Sequence, residues 1–483
     1  MARNARGTDP DGHHDRMSAS AERWPRRPAR AGRGALVAAL AMSCVLAFAP
    51  QRASSTPPIV PLGPCGPIQR THEAVELRGM RLRRLVGTPL ERLGMIAWRD
   101  GRPEPIPFQV DERIASHLVM SVGGTLEEDD TPGILDEDDT VVFMACDAGQ
   151  RAPSGTPPAA EGREIRIDDA RTGATAWVYL VVSDTPPRSD RRYVRYDPAQ
   201  DIVSTSRWRI GCVEALPSYF SLALSGVPGP NIVDGLRLRA EAVLRGNLVR
   251  WSISERDGRN GLVGWREGPI RVIRRSRHEV EIGLGIHLTA GILHSLFYAE
   301  HVLAPGSLKL PFSPSVFFRE ITAVGGVDLQ GLEGWRYLAP GVAPPGLAID
   351  GRMDGTEQGY AGRGRWFALT RPSEALLVAV TMSPELERAL PLDLVYLDDA
   401  TRTAPPELVP GSVPFVGLRA RAVERLSAGR YRFQLRILAL PGWEPGAEEL
   451  RLREMDMPLS AAVSIPRDFP ARSRPRNDRP EGP

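Results

Sequence analysis

Apolar side chains recur at every second position along most of this 483-residue chain, in short runs broken by glycine and proline. A period of two fits a strand with one buried face, because successive side chains leave a strand on opposite sides. Ile106, Phe108 and Val110 alternate with Pro107, Gln109 and Asp111, and the same pattern returns at Tyr193–Arg209, Gly268–Arg274 and His278–Ile286. With 47 Gly and 45 Pro punctuating these runs, the chain is predicted to be all-β, of sandwich or barrel-like type. Pro107 lacks a donor N–H, so its strand belongs at a sheet edge or a bulge. Val141–Ala145 is continuously apolar, as expected of a strand buried on both faces. Only Ile286–Leu303 is long enough to suggest a helix, and Leu450–Arg453 reads as a late strand.

The ends differ from the body. Arg23–Arg33 is basic and precedes the apolar run Gly34–Ala49, which ends in small residues. This is the order of a signal peptide, with cleavage after Ala49 or Ala53, and the run is short for a membrane span of ~20 residues. A lipoprotein reading through Cys44 is weaker, because no Leu precedes that cysteine at the usual place. Residues 1–53 hold nine Arg against four acids, a net of +5, so the rest of the chain carries −3. No basic stripe of a nucleic-acid binder is present. Lys309 is the only lysine among 61 basic residues, a bias that fits a GC-rich genome better than a ligand requirement.

Four segments follow: a leader (1–53), an N-terminal β domain (54–188), a C-terminal β-sandwich region (189–465) and a disordered Arg/Pro-rich tail (466–483). The first boundary falls at the Pro-rich stretch Ser183–Asp190. Three cysteines remain after the leader: Cys65, Cys146 and Cys212. One pair could bridge in an oxidising compartment, but spacing does not choose it, and Cys146 is expected as a buried thiol.

Candidate chemistry is sparse. Glu127, Glu128, Asp129 and Asp130 with Asp136, Glu137, Asp138 and Asp139 crowd eight carboxylates into one loop. Asp136, Asp138 and Asp139 are the candidate ligands for a calcium ion, although the spacing is not that of an EF-hand. No other cofactor is implied. His287, His294 and His301 recur every seven residues, about 10.5 Å apart if helical, too far to share one metal. Asp350, Asp354 and Glu357, and separately Asp398 and Asp399, read as acidic turns. Gly362–Trp366 is not a phosphate loop, and no nucleophile elbow, Walker loop or HExxH motif occurs. Trp177, Trp208, Trp251, Trp265, Trp335, Trp366 and Trp443 are expected mainly in cores, with sugar stacking as the functional alternative.

Pro107, Gln109 and Asp111, followed by Asp138, Asp139 and Phe143, resemble the N-terminal module of exo-rhamnogalacturonan lyase-like proteins. The chain as a whole is similar to exported bacterial all-β proteins of unassigned role. The resemblance covers about 45 residues and implies no catalytic residue here, since the β-rich remainder lacks a helical toroid. The resulting expectation is an exported envelope protein, periplasmic or outside the cell. It would act as a non-catalytic glycan-binding or structural module, with glycan or an envelope component as partner. The alternative is a carbohydrate-active lyase or hydrolase.

Overall fold

The computed structural model describes residues 57–465 apart from 115–116, 123–124, 127–128, 130, 155–160, 214–218, 225–229, 247–248, 282–286, 359, 361 and 403–412. The leader, the tail and the acids Glu127, Glu128 and Asp130 lie outside the described residues. The described chain is all-β, as the alternation predicts. Antiparallel strands form six sheets of two to eleven strands, and none of these sheets closes on itself.

Two hydrophobic clusters carry most of the core. One is built from Ile68, Leu77, Met95, Phe143, Ile165 and Leu180 and their neighbours in the first 180 residues. The other gathers Trp208, Val272, Phe297, Tyr337, Phe367 and Val416 from the later sheets. Two features cross position 188. Strand Ser460–Ser464 pairs with Glu161–Asp168, adding the fifth strand to an early sheet. Strand Phe108–Asp111 is joined through its side chains to Ile270 and Arg271.

Phe108–Asp111 is an edge strand beside Thr140–Met144, in keeping with Pro107 just before it. Thr140–Met144 is central in its sheet and buried at every position. The alternation in the edge strand holds, but its polar face is the better buried. Gln109 and Asp111 are buried, whereas Phe108 and Val110 are partly exposed. Gln109 Oε1 accepts the backbone N–H groups of Ile270 (3.1 Å) and Arg271 (2.9 Å), and its Nε2 donates to Asp111 Oδ1 at 2.6 Å. Arg271 donates Nε and Nη2 to Asp111 Oδ2 at 2.9 and 2.6 Å. Its Nη1 meets Glu76 and the Tyr298 hydroxyl. Burial opposes the Arg271 charge, but Tyr298, Asp111 and Glu76 outweigh it and hold the guanidinium protonated.

Three expectations are corrected. The stretch Ile286–Leu303 is not helical: His287–Phe297 and His301–Leu310 are strands, the turn between them closed by Tyr298 N donating to His301 O at 2.8 Å. Pairing with Val272–Glu281 on one side and Gly429–Leu440 on the other overrides the local pattern. Leu450–Arg453 is not a strand but lies in the helix Ala447–Asp456. Gly446, at φ 87°, turns the chain into it, Glu448 and Glu449 stand in its first turn and Arg453 in its last, each sign matched to the helix dipole. Cys146 is not a thiol: it bridges Cys65, with Cα atoms 4.4 Å apart, and ties the Pro-rich entry segment to the buried strand end. Cys212 is the free cysteine among the described residues, and burial pushes its thiol up to about 11.

Gly268 leaves no room beside the Gln109 amide, since a Cβ there would sit 2.1 Å from Gln109 Oε1. Gly268→Ala should therefore displace the amide from its two backbone donors and lower unfolding free energy by about 1–3 kcal/mol. Urea denaturation of the two proteins checks this, and coincident midpoints would show that Gln109 is not pinned.

Candidate functional site

A cleft of about 1170 Å³ opens where three turns meet. Its walls are the segment Arg336–Pro345, the turn at Thr370–Pro372, and the loop Leu440–Gly446 leading into the helix Ala447–Asp456. Six prolines line it: Pro340, Pro344, Pro345, Pro372, Pro441 and Pro445. Their fixed φ angles remove backbone freedom, so little order has to be gained when a ligand enters. Trp366 and Trp443 also line the cleft, both half-buried and packed on the small core of Leu338, Ala368, Leu377 and Leu438.

Three guanidinium groups border the same space, each held from behind. Arg371 lies over the Trp335 ring, 4.8 Å from its centroid, and pairs with Glu374. Arg336 Nη1 donates to Gly346 O at 3.1 Å. Arg451 Nη1 donates to Glu454 Oε2 at 2.9 Å. A guanidinium carries five N–H donors, so each of the three keeps donors for a ligand. Glu444 and Glu448 add carboxylates to the rim.

Behind Arg451 the helix is fastened to the early chain by buried charge. Arg70 is fully buried and donates Nε and Nη2 to the two oxygens of Asp169 at 3.1 and 2.5 Å. Its Nη1 reaches the backbone oxygens of Glu454 (3.2 Å) and Met457 (2.9 Å), where the last carbonyls of the helix lack intrahelical donors. Glu73 completes the site, Oε2 accepting from Arg70 and Oε1 from Leu459 N at 2.9 Å. His72 Nε2 stands 3.3 Å from Glu454 Oε2. His301 lies at 6.4 Å from His72, ring centre to ring centre, and stacks on Tyr298 at 4.3 Å. Burial holds both imidazoles well below the usual histidine range, reinforced at His72 by Arg451 and at His301 by Arg436. Both are neutral at pH 7.

The residues singled out in the sequence are dispersed by the fold. Asp139 is fully buried and accepts Arg113 N and Asp136 N, each at 3.0 Å, one on each oxygen. Burial raises its pKa to about 7 against these bonds. Asp136 Oδ1 accepts Asp138 N and Asp139 N at 3.1 Å, and its Oδ2 accepts Thr131 Oγ1. These carboxylates hold a turn together. Among the described residues, no group of three or more His, Cys, Asp or Glu is arranged to hold a metal ion. His301 is in the buried network, while His294 lies in the sheet opposite Arg275. Asp398 Oδ2 accepts Asp350 N and Gly351 N, and Glu357 accepts Asp354 N and the Tyr396 hydroxyl. Trp208 and Trp335 fill cores, and only Trp366 and Trp443 of the seven line this cleft. Sequence reading missed Arg70, Arg271, Arg336, Arg371 and Arg451, since nothing separates them from the many other arginines until their partners are known.

No family model and no curated protein matches the chain. Among solved structures, it is similar to an alpha-mannosidase from Enterococcus faecalis, at 9% identity and a TM-score of 0.42, covering 82% of this chain and 44% of that one. It is also similar to an alpha-N-acetylgalactosaminidase from Bifidobacterium bifidum, at 15% identity and a TM-score of 0.31, covering 53% and 38%. The chain thus spans less than half the length of either enzyme. Neither is a rhamnogalacturonan lyase, and likenesses this distant carry no argument about activity.

The buried imidazoles imply a pH response. Each is neutral in the fold but protonates near pH 6.5 once unfolded, so the unfolded chain binds more protons below that pH and stability falls as pH drops. Asp139 acts oppositely between its ordinary value and about 7. His301→Phe keeps the ring on Tyr298 and removes one titrating group. Its stability should fall less steeply below pH 6.5 than that of the parent, by about 1.4 kcal/mol per pH unit. Urea midpoints between pH 5 and 7.5 measure this, and parallel curves would contradict a neutral buried His301.

Proposed function

We propose that the protein is an exported cell-envelope module that binds a polysaccharide chain, without cleaving it, in the cleft of Trp366 and Trp443. The observation that carries this reading is two half-buried indoles and three anchored guanidinium groups bordering one proline-walled space. Sugar rings present apolar C–H faces that stack on indole, and their hydroxyl or carboxylate oxygens accept from guanidinium. The walls rest on a packed core and the helix is fastened by Arg70, which suits binding to a site formed in advance. The leader at residues 1–53 supports export.

A catalytic reading would require the rim carboxylates to act on the bound chain, and this sets the second arm of the test. Calorimetric titration with neutral and uronic-acid oligosaccharides, run well below the variant's lowered thermal midpoint, should show binding that Trp366→Ala with Trp443→Ala weakens by about tenfold or more. Binding unaffected by the double substitution would reject the cleft. Release of new reducing ends or unsaturated products, abolished by Glu444→Gln with Glu448→Gln, would replace the binding module by an enzyme.

A further inference from the structure

At one end of the sheets two turns bring apolar side chains into solvent. Phe312, Val316 and Phe317 are 49, 59 and 50% exposed in the connection between strands His301–Leu310 and Phe318–Leu329. Val249, 50% exposed, belongs to the turn after Val233–Leu244. A backbone bond holds the two turns side by side, Arg245 N donating to Phe317 O at 2.9 Å, and Leu244 N closes its own turn by donating to Val249 O at 3.2 Å. Arg245 Nε also donates to Ser315 O at 2.5 Å. The two phenyl rings meet edge to face, with centroids 5.2 Å apart. A third segment joins them where Ser313 Oγ donates to Leu426 O at 2.9 Å.

Cations outnumber acids around this tip. Arg245, Arg250, Lys309, Arg319, Arg425 and Arg430 are exposed on the segments that carry or flank it. Register fixes their places: Lys309 faces Arg430 across one strand pair, and Arg250 faces Val243 across another. Among the described residues of these turns the acids are Glu320 and Glu424; Glu424 is buried, its Oε2 accepting Ile321 N at 2.9 Å and its Oε1 standing 3.8 Å from Arg425 Nε. Glu385 and Glu387 are exposed on the neighbouring helix Pro384–Ala389, whose Leu386 packs with Leu426. Lys309, the single lysine of the chain, therefore lies in this cationic ring.

We propose that this tip docks on an anionic lipid bilayer, Phe312, Val316, Phe317 and Val249 entering the interface while the six cations meet lipid phosphates. Exposed aromatic and aliphatic side chains at turn ends gain by leaving water for the acyl boundary. Long basic side chains extend to the headgroups from beside them, and each contributes electrostatically near an anionic surface. A cationic ring around a small apolar apex fits a continuous negative surface. No helix of the described residues is long and apolar enough to cross a membrane, and the proposed contact is interfacial, made by turns. The tip shares no residue with the Trp366–Trp443 cleft, so the two proposals stand or fall separately.

The test is co-sedimentation of the full chain with vesicles of phosphatidylcholine alone or with one quarter phosphatidylglycerol. The leader is common to every variant, so differences between variants report the tip. Phe312→Ser with Phe317→Ser, and separately Arg319→Gln with Arg430→Gln, which leaves the Arg245–Ser315 bond intact, should each weaken binding to the anionic vesicles by about tenfold or more. The charge variant should also lose part of the salt dependence. The charge variant alters only exposed side chains, and matching thermal midpoints will confirm its fold. Equal binding by parent and both variants, or loss in the phenylalanine variant alone accompanied by conversion of a dimer to a monomer, would overturn the proposal. The second outcome would assign the tip to a second copy of the chain.

Discussion

Arg271 is a cation with essentially no access to water, and the architecture is arranged so that it is never without an anion. Transferring such a group from water costs several kcal/mol, recovered only where geometry is good and every donor is used. Here Asp111 takes two donors, Glu76 and Tyr298 share a third, and Gln109 fixes the backbone from which Arg271 projects. Asp111 and Arg271 are 160 residues apart in sequence. The contact therefore forms only when an early edge strand and a later sheet are both in register. A pair of this kind discriminates against alternatives more than it adds to net stability, because a one-residue slip would bury both charges unmatched.

Arg70 repeats the device at greater sequence distance. It joins Asp169 to the carbonyl end of the helix Ala447–Asp456, 384 residues on at Glu454. That helix supplies Arg451 to the cleft wall, and the adjoining strand Ser460–Ser464 closes an early sheet. The geometry of the cleft is thereby tied to a charge cluster far from it in sequence. His72 and His301 fill the remaining polar space as neutral rings, which spares the region further buried positive charge beside Arg70, Arg271 and Arg436.

The fold class was legible because burial in sheets leaves a period of two, and Ile106–Asp111 showed it plainly. The function of that strand was not. Its apolar face looked like the important one, yet Gln109 and Asp111 are what reach across to the later chain. Their partner is one arginine among sixty, and no local pattern marks it. Ile286–Leu303 misled for a related reason: its strand state is set by neighbours from Val272–Glu281 and Gly429–Leu440. The strand expected at Leu450–Arg453 extended the alternation of the preceding strands and gave too little weight to the signals of the helix Ala447–Asp456, Pro445-Gly446 before a run of strong helix formers with acids first. The cleft brings Trp366 beside Trp443 only through tertiary packing, so seven tryptophans looked equivalent in sequence. The acidic loop drew attention by its charge, but Asp136 and Asp139 spend their described bonds mainly on backbone amides.

The coupling between Asp111 and Arg271 is what the early and late sheets depend on, and a double-mutant cycle measures it most directly. Asp111→Leu, Arg271→Met and the two together would be compared by reversible urea unfolding at pH 7. Each single substitution strips a buried charge of its main partner, leaving as charged partners only Glu76 for Arg271 and only Arg266, at 3.6 Å, for Asp111. A coupling energy of about 1–3 kcal/mol is therefore predicted, with the double variant more stable than the sum of the singles implies. Additive losses, with coupling below about 0.5 kcal/mol, would contradict the claim that this pair holds the early and late sheets together.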